Sequence, residues 1–183
     1  MNNIITLLTS IALVTSLSIY YSYDKDKDIP LGKTKEGLIV YRATEKRQCV
    51  EFIRRYLALT KGLTFNDVRD ANELLHLKTL YLLSNPSKTY KTSFYRRPSV
   101  PRKGDIIFTN ISKWGHVGVV VNVNNVNNTV DIVSQNSKDQ KWYYNNDNEG
   151  YTERMSLSDP LILGWWRVDE KMENFEYPMK ANS

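Results

Sequence analysis

"QCVEFIRRYL", residues 48–57, sets the chain's only cysteine, Cys49, at the head of a run patterned like a helix. Across 48–61 the apolar residues Val50, Phe52, Ile53, Tyr56, Leu57 and Leu59 recur close to helical spacing. A lone cysteine is usually a small buried hydrophobe. This one stands where the unpaired N–H groups and the positive end of the helix dipole favour a thiolate. Arg47, Arg54 and Arg55 add positive potential nearby. The same N–H groups can hold the oxyanion formed when a carbonyl is attacked, and Gln48 offers one more donor.

Outward from this helix, "TFNDVRDANELLHLKTLYLL" reads as one or two further helices, and "SNPSKTYKTSFYRRPSVPRKG" as a basic, proline-punctuated loop. "DIIFTN", "HVGVVVNV" and "TVDIVSQN" read as strands, the second so uniformly apolar that a central place in the sheet is expected. "LILGWWRV" closes the sheet. Helices followed by an antiparallel run of strands give an α+β class.

The chain divides into an apolar segment at 1–23, a polar tether at 24–36, one domain at 37–169 and a solvated tail at 170–183. The uncharged run from Ile4 to Tyr21 is close to the ~20 residues a membrane-crossing helix needs, and Tyr20, Tyr21 and Tyr23 lie at its end. It reads as a single hydrophobic N-terminal helix serving as a membrane anchor. Lys25, Lys27, Lys33 and Lys35 follow it, which places the domain on the cytoplasmic side. The alternative is a signal sequence with secretion after cleavage, although no Lys or Arg precedes the run.

The bulk composition narrows the chemistry. The 183 residues, 41% hydrophobic and 25% charged, suit one soluble globular domain. A net charge of +5 is no nucleic-acid signature. One cysteine and two histidines exclude an internal disulfide and any Cys-based zinc site, so no metal or cofactor is expected. An enzyme built from this chain works with one thiol, two imidazoles and carboxylates.

A thiolate needs a base. His116 follows Gly115 at the start of a strand, where little bulk blocks access, and Trp114 is placed to shield the pair from water. His76 lies within a helical apolar pattern and reads as structural. The base needs an acceptor for its other ring nitrogen. If "DIVSQN" is a strand, Ser134 and Asn136 share one face and Gln135 points to the other.

"QCVEFIRRYL", "GDIIF…GHVGVVV", "QN" and "LGWW", in this order and spacing, resemble the CHAP family, papain-like cysteine, histidine-dependent amidohydrolases and peptidases. More narrowly they resemble the amidase domains of glutathionylspermidine synthetase/amidases. The similarity runs over roughly 35–168. The resemblance implies a papain-like domain with Cys49 as nucleophile and His116 as base. Gln48 and the Cys49 N–H would form the oxyanion site, with Arg54 near the substrate; Trp114 and Gln135 are expected to bind substrate as well. It also implies a glutamate where this chain carries Ser134, so Asn136 is expected to take over the orienting role, with Ser134 assisting.

The expected reaction is amide hydrolysis through a thioester. The partner is a small peptide amide, either a glutathione–polyamine conjugate or a muropeptide, acted on by a monomer. A non-catalytic, membrane-tethered binding module is the alternative from another class.

Overall fold

The computed structural model describes residues 28–46 and 48–168. The expected anchor at 1–23, the start of the tether and the tail at 170–183 lie outside the described residues. Among the described residues no helix is long and apolar enough to cross a membrane.

Helix α1 spans Cys49–Lys61 and buries Cys49, Phe52, Ile53, Tyr56 and Leu57. Those positions follow the i, i+3, i+4, i+7, i+8 pattern of a single helical face. Gly62 ends the helix in the left-handed conformation (φ 62°), its N–H donating to the Leu57 carbonyl. Phe52, Ile53 and Leu57 are almost wholly shielded from water, and each contributes roughly 1.5–3 kcal/mol of burial.

The helix packs on a six-stranded, wholly antiparallel sheet. Its strands are β6 (Ser93–Tyr95), β7 (Ile106–Thr109), β8 (His116–Asn124), β9 (Thr129–Val133), β12 (Glu153–Ser156) and β13 (Ile162–Arg167), in the order β12-β9-β8-β7-β13-β6. Ile106, Phe108, Val117, Val119, Val121 and Trp166 join α1 in the main core. Ile107, Val120, Val130, Ile132 and Trp165 form a second cluster. Adjacent residues of one strand thus enter different cores, which explains the near-continuous apolar run of β8. Its central place follows the sequence expectation. So does the antiparallel order, although β13 is inserted between β7 and β6 instead of closing an edge.

Three segments depart from their sequence reading. The stretch 64–83 expected as helices holds only a short helix α2 (Ala71–Leu75), flanked by β3 (Leu63–Thr64) and β4 (Thr79–Leu82). His76 is the C-cap of α2, exposed rather than packed in a helical face. The expected basic loop carries β5 (Asn85–Lys91), which pairs with β4, and β6. In the expected tether, β1 (Pro30–Lys33) pairs with β2 (Ile39–Tyr41). Between β9 and β12, β10 (Tyr143–Tyr144) pairs with β11 (Gly150–Tyr151). Short, mostly polar strands lack a run of buried side chains long enough to impose visible alternation.

Candidate active site

Gln48 is the N-cap of α1 in an extended conformation, and its side chain makes no capping hydrogen bond. Phe52 N–H donates to the Gln48 carbonyl as the first turn closes. Cys49, the first helical residue, therefore has no intrahelical acceptor for its own N–H. Cys49 is buried and carries a free thiol. The end of the helix thus brings a sulfur and an unspent backbone donor to one place, as the sequence implied.

His116 is delivered by the loop before β8. Gly115 takes a left-handed φ of 68°, and a Cβ there would lie 2.5 Å from the Asn72 side chain. Asn72 in turn donates from its backbone to the Trp114 carbonyl at 3.3 Å and from its side chain to the Lys113 carbonyl at 3.1 Å. The turn into β8 is thereby clamped to α2. The histidine that follows it is 5% exposed.

On one side the imidazole shares the cleft with the Cys49 thiol, which is among the groups that raise its pKa. On the other, Nε2 lies 3.0 Å from Ser134 Oγ and 2.9 Å from Glu153 Oε1. Ser134 Oγ donates its proton to the same carboxylate oxygen of Glu153. Both groups around Nε2 therefore face it as acceptors, which fixes the N–H at Nε2 and leaves Nδ1 to Cys49. Burial opposes charge on His116, but hydrogen bonds to Cys49 and Glu153, with electrostatic attraction to both, raise its pKa from 6.5 to about 9. Burial likewise pushes the Glu153 carboxyl up. The hydrogen bond and charge of His116, with the Ser134 hydroxyl, hold it below its ordinary value.

Glu153 did not stand out in the sequence. It lies in "GYTERMS", a stretch without a motif, and only the register of β12 on β9 brings it to the imidazole. The one available signal was the serine at 134, which left the base without a carboxylate.

Asn136 does not reach His116. Strand β9 ends at Val133, and Asn136 has a left-handed φ of 60°, so the alternation expected to align it with Ser134 is broken. Its Nδ2 instead donates to Gln48 Oε1 at 2.7 Å. That bond, with Gln48 Nε2 donating to the Thr44 carbonyl, fixes the Gln48 amide at the edge of the site.

Two residues expected near substrate are engaged elsewhere. Gln135 is fully buried and ties β2 to α1: its Oε1 accepts from Tyr41 N–H at 3.1 Å and from Arg55, and its Nε2 donates to Glu51 at 3.1 Å. Arg54 bonds the Phe65 carbonyl, pairs with Asp67 at 3.0 Å and stacks 4.2 Å above the Phe65 ring. Trp114 does line the cleft, 56% exposed on its lip. The cleft is about 1050 Å³ and is lined by 69–71, 111–112, 114–116, 138–139 and 151–155, together with Gln48, Cys49 and Asn136. Its cations are Arg69, Lys138 and Arg154, the last held by Asp131 at 2.6 Å.

A thiol that shares a cleft with an imidazole, at an unpaired helix N–H, can add to a carbonyl and hold the resulting oxyanion. Comparison with known proteins agrees with this geometry. The chain is 30% identical to the bifunctional glutathionylspermidine synthetase/amidases of Escherichia coli (strain K12) and Shigella flexneri, over 70% of its own length. It spans 23% of theirs. Residues 40–136, which include Cys49 and His116, match the CHAP domain. The chain belongs to the CHAP-domain family.

Proposed function

We propose that the chain is a thiol amidohydrolase. The observation that carries the reading is that Cys49, at the N-terminus of α1, and His116 line one open cleft, close enough for the thiol to raise the pKa of the imidazole. In the first half-reaction Cys49 Sγ adds to the amide carbonyl carbon while its proton resides on His116 Nδ1. The carbonyl oxygen takes the negative charge and is met by the Cys49 N–H and the Gln48 amide. As the C–N bond breaks, His116 passes the proton to the departing amine and a thioester remains. In the second half, water adds to the thioester, with His116 accepting its proton. The carboxylic acid leaves and the thiol is restored.

The amidase name of the two relatives favours a glutathionylspermidine-type amide as substrate. The cleft cations Arg69 and Lys138 suit the carboxylates of the glutathione portion. The apolar run Ile4–Tyr21 is proposed as a membrane anchor holding the domain at the cytoplasmic face.

The test is incubation of the purified domain with glutathionylspermidine and, separately, with muropeptides, reading released amine. Release from the conjugate by wild type and not by Cys49→Ala is expected. Release from muropeptides alone would move the substrate to the cell wall. No release from either, with tight binding retained, would make the chain a binding module.

A further inference from the structure

Three neighbouring strand positions converge on one ring nitrogen. His116 opens β8, Ser134 follows β9, and Glu153 opens β12, the strand on the far side of β9. Adjacent strands lie about 4.8 Å apart, so side chains from β12 and β8 must together span roughly twice that to meet. A glutamate has the length, provided that the residue between is small. Ser134 is wholly buried in that gap, and its Oγ touches both ends, 3.0 Å from His116 Nε2 and hydrogen-bonded to Glu153 Oε1. Thr152 fastens the joint by accepting the Ser134 N–H at 2.8 Å.

We infer that Glu153 is the positioning residue for His116, reaching across a strand that must carry a small side chain, with the Ser134 hydroxyl locking the carboxylate in place. The inference rests on His116 being the base of the proposed reaction. Glu153 touches no reacting atom. It accepts a hydrogen bond from Nε2–H, so that Nδ1 faces the sulfur, and it stabilises the imidazolium formed when the thiol loses its proton. Serine at 134 and glutamate at 153 are then two halves of one arrangement. A glutamate at 134 would reach the same nitrogen from the adjacent strand and make Glu153 redundant. Both together would crowd two carboxylates onto one imidazole.

The titratable groups against the ring are Cys49 from α1 and Glu153 from β12. Of the other charges in the cleft, Arg69 and Asp70 precede α2, Lys138 and Asp139 follow β9, and Arg154 is paired with Asp131. None of these five is among the groups that shift His116.

The experiment compares wild type, Glu153→Gln and Ser134→Glu/Glu153→Gln by proton NMR titration of the His116 ring. A His76→Gln background leaves a single histidine signal, and amine release is assayed in parallel. Wild-type His116 is expected to titrate near 9. In Glu153→Gln the midpoint moves toward 6.5 and release falls by about a hundredfold or more, as when a base loses its tautomer. The double variant moves the midpoint back up and recovers at least about tenfold in release.

An unchanged midpoint in a folded Glu153→Gln protein would overturn the inference, as would wild-type release by it. Should no variant release amine from any substrate, the proposed reaction fails, while the titration still decides the role of Glu153. If the double variant does not fold, the near-isosteric single substitution is decisive by itself.

Discussion

Glu153 Oε1 lies 2.9 Å from His116 Nε2, although β9 runs between their strands. The pair makes stability depend on pH in a defined window. His116 has its pKa raised from 6.5 to about 9, so its contribution is complete below 6.5 and is lost as pH rises through 9. Glu153 is held below its ordinary value of 4.5, so its contribution is present above 4.5 and is lost as pH falls through the lowered value. Replacing Glu153 by Gln should therefore cost most between pH 4.5 and 6.5, about 2 kcal/mol for a charged hydrogen bond, and progressively less toward pH 9. Denaturant unfolding of both proteins across pH 4–10 checks this. A difference that grows above pH 7 would contradict it.

Gln48 and Asn136 should separate cleanly from Glu153 in kinetics. Gln48→Ala removes an oxyanion donor and should lower kcat by about a hundredfold. Asn136→Ala removes one neutral hydrogen bond to Gln48 and should lower kcat/KM by only about three- to tenfold. Neither should move the alkaline limb of the pH–rate profile, because neither touches the imidazole. Glu153→Gln should move that limb downward.

Arg54 and Gln135 should behave as structural residues. Arg54→Ala unties Phe65 and Asp67 and should cost about 1–2 kcal/mol of stability with KM unchanged. Gln135→Ala leaves Tyr41 N–H, Arg55 and Glu51 short of a buried partner and should cost about 1–3 kcal/mol. A raised KM for Arg54→Ala with unaltered stability would return that residue to the substrate.

Ser134→Glu alone should be less stable than Ser134→Glu/Glu153→Gln. The single change places a second carboxyl in a fully buried gap beside Glu153, and the second change relieves the repulsion. A thermal-melting double-mutant cycle reads the coupling, and additivity within about 0.5 kcal/mol would argue that the two side chains do not share the site.

The parts of this protein visible in its sequence are those governed by local periodicity. The α1 face repeats Phe52, Ile53, Tyr56 and Leu57 at helical spacing, and β8 is apolar because both its faces are covered. Both fix where Cys49 and His116 begin their elements. The orienting residue depended instead on where β9 stops and how β12 registers on it. Extending β9 to Asn136 put the wrong residue beside the histidine, since the left-handed backbone at Asn136 ends the period-two pattern. Long-range pairing of a short polar strand leaves no mark in composition. Glu153 therefore becomes visible only in three dimensions. Arg54 and Gln135 follow a related logic: their partners, Phe65 and Asp67 for one and Tyr41 for the other, leave no local pattern.

Because the chain contains one cysteine, alkylation reports on Cys49 alone. Wild-type protein is alkylated with substoichiometric to excess iodoacetamide, and label per chain is plotted against residual amine release. If Cys49 is the nucleophile, activity falls in proportion to label and reaches zero at one label per chain. Full labelling of Cys49 with turnover undiminished would contradict it.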